Sequence, residues 1–431
     1  MFFRAFESGK SAQSEIEFEE YDLKNGLHVV LHKDNSNPLV SVDIWYHVGS
    51  KNEEPNRTGF AHLFEHMMFQ GSANVRKSEH FKYLQGAGGF VNGSTSQDRT
   101  NYLETVPSNN LELVLWLESD RMGTLAVTQE NFDNQKDVVK EEKRRRYDNA
   151  PYGSRFYNLF SKSFGTHPYG WIPIGSMKDL DKADLKYAQN FYKRFYAPDN
   201  AVLVIAGDID YKQTRELTEK YFGNLEPAKS KKINFPEIAF NKGGIIEKIY
   251  DNIQLPALYT AYKIPGLHSK DIYALDLLSA VLADGKSSRL YNDIVYKNKI
   301  AKSVNSLVWN LELGGLFVIS ATGFPGTDLQ KIQKHIDKQI EKIISSGVSS
   351  HELLKAKNKF ENSFINRQQT MLGLADLLAY YWTFYNNTGM INSDLGRFLK
   401  VSAEDIKETA AKYLIKNNRV VLNYLPKNKP V

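Results

Sequence analysis

The sequence predicts a mixed helix-and-strand protein built as two similar halves, and three observations carry that expectation. The chain has 431 residues, more than a single hydrophobic core organises, so two or three domains are expected. One order of elements then occurs twice. Ala183 to Lys186 opens a helix that runs past Phe191 and Tyr192, a turn follows at Pro198-Asp199-Asn200, and Ala201 to Gly207 reads as an apolar strand. Near the C-terminus, Ala403 to Lys407 opens a helix reaching Leu414, followed by Asn417-Asn418 and the strand Arg419 to Tyr424. Between the copies, Pro227, Pro236, Gly243 and Gly244 interrupt regular structure beside Lys229, Lys231 and Lys232. The expected division is an N-terminal domain over 15–226, a linker over 227–245 and a C-terminal domain over 246–431.

Composition narrows the class. Apolar residues make up 42% and charged residues 24%, as in ordinary globular proteins. A net charge of +5 is modest for this length and gives no reason to expect nucleic acid as a partner. With no cysteine, disulfides and thiolate ligands are excluded. Met1-Phe2-Phe3-Arg4 meets a charge at once and leads into no apolar core of a signal peptide, and no stretch is long enough to span a bilayer. The expected location is cytoplasmic, or periplasmic or exported if a leader has been removed.

The chemistry concentrates at His62-Leu63-Phe64-Glu65-His66. On a helix, residues four apart are neighbours, with β-carbons about 5–6 Å apart. Two imidazoles so placed can share one metal ion, and Glu65 projects beside the same face, positioned to take a proton from a water that the metal acidifies. This is the inverted zincin order. Histidine is scarce, ten in 431, so a chance match at all the fixed positions is improbable. The bland alternative is a buried helix, with Phe64, Met67 and Met68 as its apolar side, that happens to carry two histidines.

A catalytic zinc keeps one position open for water, so one further protein ligand is needed, and without cysteine a carboxylate is expected. Asn131 to Glu142 reads as a helix in which Glu141 and Glu142 compete. Glu142 falls within roughly 10° of the face made by Val138 and Val139, and Glu141 lies roughly 110° away. Glu142 is therefore the inward one, and an inward carboxylate is costly unless a cation neutralises it. The basic run Lys143-Arg144-Arg145-Arg146 reads as the solvated continuation of this helix, with peptide steering as a second role. His28 and His32 sit four apart on a strand, about 13 Å, too far to hold one metal together. His167-Pro168-Tyr169-Gly170 reads as a fixed turn without direct chemistry.

With these residues in place, the chain resembles the pitrilysin/insulinase family of zinc metallopeptidases, which includes the mitochondrial processing peptidases. In that family a Glu ligand follows the second His at the spacing found here, 76 residues from His66 to Glu142. Gly59-Phe60-Ala61 and Phe69-Gln70-Gly71-Ser72 look like the family's flanks. Many members carry another Glu seven residues before the ligand, where this chain has Gln135. The resemblance implies an α+β fold of two homologous domains. Each is a mostly antiparallel sheet packed by helices on one face, and the two form a bowl. It also implies one Zn2+ per chain on His62, His66 and Glu142, with Glu65 as general base.

Gly88 to Tyr102 looks like the family's substrate edge strand. Asn92 and Gly93 match the positions that pair with a bound peptide by strand addition, a mode that reads backbone and tolerates many side chains. Phe69 resembles the hydrophobic wall beside the cleavage point in relatives, although a helix-facing Phe is as often core.

The second half shows no trace of the metal motif. Leu282 to Tyr291 resembles the family's Gly-rich turn leading into Ser-Arg-Leu. Self-sufficient relatives follow it with an Arg and, seven residues on, a Tyr that hold substrate. Here Tyr296 and Lys302 stand at those positions, one residue closer together. The departure implies a partner: a homologous subunit without zinc that supplies the Arg and Tyr, with a homodimer as runner-up. The expected function is a zinc endopeptidase acting on extended or unfolded peptides inside a chamber. The alternatives are a non-catalytic scaffold or processing-complex subunit of the same family, or a metallohydrolase on another fold.

Overall fold

The computed structural model describes residues 15–240 and 243–427. Met1 to Arg4, read above for a leader, and linker residues 241 and 242 lie outside that range. Eleven strands form two sheets among the described residues. The first takes β1 (Glu19–Asp22), β2 (His28–Lys33), β3 (Leu39–Tyr46), β4 (Phe90–Thr95), β5 (Thr100–Pro107) and β6 (Ala201–Gly207), in the order β1-β2-β6-β3-β5-β4. The second takes β7 (Ile245–Asp251), β8 (Ala257–Pro265), β9 (Ala301–Trp309), β10 (Gly314–Gly323) and β11 (Arg419–Pro426), in the order β7-β11-β8-β10-β9.

Apart from β1, the two sheets have the same wiring. The last strand of each half inserts beside the first, parallel to it (β2 with β6, β7 with β11), and every other pairing is antiparallel. The repeated helix, turn and strand of the sequence are the elements that close each sheet: Leu185–Phe195, Pro198–Asn200 and β6, then Ala403–Tyr413, Lys416–Asn418 and β11. Each half is thus an α+β unit with a mostly antiparallel sheet.

Strand alternation sorts the core into faces. On the first sheet Val29, Leu31, Val40, Val42, Ile44, Leu203 and Ile205 face the half's own helices, including Phe60, Phe64, Val114 and Phe191. Their neighbours Val30, Trp45, Val202, Val204 and Ala206 point to the opposite face, and the helix that covers them, Met371–Tyr385, comes from the second half. The loan is returned. Helix Arg155–Phe164 of the first half packs Leu159 and Phe160 with Leu316, Val318, Val420 and Leu422 on the second sheet, opposite that sheet's own helices. Tyr424 Oη meets Ser154 Oγ at 2.8 Å and accepts from Asn158 at 3.0 Å. The two halves are therefore interlocked rather than merely tethered.

A third joint fixes the loop after β9. Glu312 binds His47 at 2.7 Å and pairs with Lys51, which also meets Asp98 at 3.1 Å. Asp98 accepts the Glu312 backbone N–H at 3.0 Å and the Tyr169 hydroxyl at 2.5 Å. Beside this joint, Trp309 at the end of β9 meets the Phe156 and Phe160 rings of the first half edge-on, both with centroids 5.0 Å apart.

Candidate metal centre

The histidine helix, Phe60–Met67, starts at a constrained point. Gly59 has φ +99°, a conformation that favours glycine, and Gly175 packs so closely that a Cβ there would lie 2.5 Å from Gly59 Cα. Glu53 accepts the backbone N–H groups of Gly59 (3.0 Å) and Ala61 (2.9 Å), satisfying donors that a helix start leaves free. Burial pushes the Glu53 carboxyl up to about 8, against those two bonds. Phe60, Leu63, Phe64 and Met67 bury one side of the helix. His62 and His66 leave the other side together, their ring centroids 4.8 Å apart.

The second helix, Gln129–Lys143, is capped by Thr128, whose hydroxyl accepts the Asn131 N–H at 3.3 Å. Phe132 and Val139 anchor it in the core. Val138, expected beside Val139 on an inward face, is instead 43% exposed, because that part of the face borders the cavity rather than the core. Glu142 turns toward the histidines, with Oε2 at 3.7 Å from His62 Nε2 and 3.3 Å from His66 Nε2. Glu141 turns outward and pairs with Arg144 at 3.1 Å.

This trio fits a zinc ion. Tetrahedral ligands about 2.0–2.1 Å from one zinc sit roughly 3.3–3.4 Å from each other, close to the two spacings found. The protonation states also suit. Burial, and then the neighbouring His66, pull His62 down to about 4, so its ring is neutral near pH 7. The His66 hydrogen bond, against burial, holds Glu142 down to about 2, so it is a carboxylate. Gln135 plays no part in this cluster; its amide donates to Asn134 Oδ1 at 2.8 Å.

Glu65 lies on the same wall of a cavity of about 920 Å³. Thr95, on β4, donates a 2.6 Å hydrogen bond to Glu65 Oε2. Burial raises the Glu65 carboxyl, and the Thr95 bond opposes the rise. Asn92 and Gly93 line the cavity, and β4 is an edge strand, paired only with β5. Gly93 is a close approach: a Cβ there would sit 3.2 Å from Tyr102 Cδ1 and 3.3 Å from Glu65 Cγ.

Phe69 is not brought to this cavity. It is buried, stacked on Phe81 and lying beneath the Arg121 guanidinium, because the chain turns back into the core just after the helix. Tyr296 and Lys302 are solvent-exposed and do not line the cavity. Sequence reasoning missed Thr95, Glu53, Phe156, Ile172 and Trp309. Only Thr95 had a signal, being two residues from Gly93 and so on the same side of the strand.

A second group of possible ligands, His80, Glu104 and Glu118, is fully inside the first half. Arg121 already supplies the positive charge there, pairing with Glu118 and with Glu104 at 3.1 Å. Burial and the Glu118 charge raise the Glu104 carboxyl well above its ordinary range, so one guanidinium suffices.

The duplicated α+β scaffold brings His62, His66 and Glu142 within reach of one another, and known proteins share that scaffold. Residues 28–177 match the model for "Insulinase (Peptidase family M16)", and residues 182–360 match "Peptidase M16 inactive domain". The zinc protease PqqE of Helicobacter pylori is 32% identical over 92% of this chain and 90% of its own length. A solved protease structure from Helicobacter pylori superposes with a TM-score of 0.90 at 31% identity, covering 95% of this chain and all of the other. The periplasmic protease PqqL of Escherichia coli superposes with a TM-score of 0.77 at 19% identity over 95% of this chain but only 47% of its own. The chain belongs to the insulinase, or M16, peptidase family.

Proposed function

We propose that the chain is a zinc endopeptidase that hydrolyses extended or unfolded peptides. One observation carries the reading: His62, His66 and Glu142 converge on one point, with Glu65 beside them in a cavity bordered by an edge strand that has one free side. His62, His66 and Glu142 would hold the metal. Zinc bound there would polarise a scissile carbonyl and acidify an attacking water. Strand β4 offers its free backbone edge to an extended peptide, with Gly93 leaving room for close approach. Glu65 takes the proton of the attacking water and later delivers it to the leaving amine. Thr95 holds the Glu65 carboxylate in place through this exchange.

The reading extends to a two-bowl assembly. This chain corresponds to about half of the Escherichia coli protease it superposes on. Tyr296 and Lys302 stand where self-sufficient relatives carry a substrate-holding Arg and Tyr. A homologous subunit without zinc would supply that pair and close the chamber, and a second copy of this chain is the other arrangement. The test uses a quenched unstructured peptide, with the chain alone and with whatever copurifies. Zinc-dependent cleavage that Glu65→Gln abolishes is expected. Cleavage that survives in Glu65→Gln would contradict the role given to that residue. Full activity as a monomer, with no gain from a partner, would remove the two-bowl proposal alone.

A further inference from the structure

The basic run after Glu142 is placed by helix geometry, because Arg145 and Arg146 follow the ligand at i+3 and i+4 and share its face. The chain continues there as a wide turn, Arg144–Asp148, with the Asn149 N–H bonded to Arg144 O at 2.8 Å. Both arginines line the metal cavity. Three of the four cations in the run are satisfied: Lys143 by Asp148 (2.6 Å), Arg144 by Glu141 (3.1 Å) and Arg146 by Glu142 (2.6 Å). Arg145 is exposed and has no hydrogen bond or ion pair among the described residues.

The carboxylates lining the cavity cannot satisfy it. Glu65 takes the Thr95 bond, Glu141 is paired with Arg144, and Glu142 serves the histidines and Arg146. Within this chain's cavity no carboxylate is left over for Arg145, so a substrate carboxylate is the complement it fits. We infer that Arg145 is a specificity-determining residue that binds a substrate carboxylate next to the scissile bond, so that this site prefers acidic peptides. The inference rests on the peptidase reading above. Arg145 lies three residues beyond Glu142, about 4.5 Å along the helix axis, and an extended peptide advances about 3.3 Å per residue. The recognised group therefore lies within about two residues of the cleavage point. It is an Asp or Glu side chain, or the terminal carboxylate of a short peptide.

The test has a hydrolysis arm and a binding arm, both on the full chain. In the first, peptides of one sequence carry Glu or Gln at each of three positions on either side of the cleaved bond, with free or amidated C-termini. The wild type is expected to favour Glu at one position by about tenfold in kcat/KM. Arg145→Gln should compress that ratio to about twofold or less, and Arg145→Glu should turn the preference toward Lys. In the second, Glu65→Gln and Glu65→Gln/Arg145→Gln proteins bind fluorescent Glu and Gln peptides, read by anisotropy at low and high salt. Discrimination that weakens with salt and vanishes in the double variant supports the proposal. An effect of amidation alone assigns the recognised group to the peptide terminus. Equal handling of Glu and Gln peptides by the wild type, or discrimination that survives Arg145→Gln, overturns it. Failure to cleave any peptide, neutral ones included, both alone and with whatever copurifies, would refute the peptidase reading, while the anisotropy ratio would still decide the carboxylate subsite.

Discussion

Thr95 Oγ1 donates to Glu65 Oε2 at 2.6 Å, tying the edge strand to the histidine helix at the carboxylate between His62 and His66. A hydroxyl in that position would fix the rotamer of Glu65 in the general-base role proposed for it, without itself meeting metal or substrate. Thr95→Val should lower kcat by about 10–100-fold with little change in KM, as when the supporting partner of an active-site group is lost. Thr95→Ser, which keeps the hydroxyl, should recover most of that loss in the same steady-state assay. Equal damage from Val and Ser would mean that Thr95 merely packs.

Gly93 supports the same carboxylate by being small. Its missing Cβ would sit 3.3 Å from Glu65 Cγ and 3.2 Å from Tyr102 Cδ1, and the Tyr102 side is immovable core. Gly93→Val should therefore displace Glu65 and reduce turnover by at least about tenfold, with a 1 Å misplacement enough for such an effect. Thermal unfolding should move by only a few degrees, because β4 is an edge strand. A melting point that falls as far as activity would show a folding defect instead.

The exchange of helices predicts cooperative unfolding of the two halves. Leu378 is fully buried against the outer face of the first sheet although it belongs to the second half. Leu378→Ala should cost about 2–5 kcal/mol and lower a single calorimetric transition. Two separated transitions, with only one of them shifted, would contradict the interlock.

Arg289, the most legible arginine of the second half, has a structural task. Its guanidinium grips Glu352 at 2.7 and 2.8 Å and also donates to Gly347 O at 3.1 Å. The Arg289 hydrogen bond holds the Glu352 carboxyl down to about 2, from an ordinary 4.5. Because the folded value lies below the unfolded one, the stabilisation is fully present above about pH 4.5 and is lost as pH falls through 2. The stability gap between wild type and Glu352→Gln, followed by denaturant titration, should be largest near neutrality and shrink between pH 4.5 and 2. A gap independent of pH would mean that the charge contributes nothing.

Much of the centre was legible because it depends on helix periodicity, which a sequence displays. The four-residue step placed His62 and His66 together, and the angle around the second helix separated Glu142 from Glu141. The repeated helix, turn and strand likewise disclosed the duplication. What stayed hidden depends on which distant surfaces meet. Nothing local says that Met371–Tyr385 crosses to the other half's sheet, although a helix with Leu374, Leu377, Leu378 and Tyr381 all buried reads as one enclosed on most sides. Trp309 reaches the cavity by packing on Phe156 and Phe160 of the other half. Phe69 resembles a substrate-site wall of relatives, but the turn after Met68 returns it to the core.

The most direct test of the centre compares the two adjacent glutamates by metal analysis of purified proteins. Wild type, Glu141→Ala and Glu65→Gln should each carry about one zinc per chain, whereas Glu142→Ala and His62→Ala should carry almost none. Full zinc in Glu142→Ala, or its loss from Glu141→Ala, would contradict the ligand set on which the proposed chemistry stands.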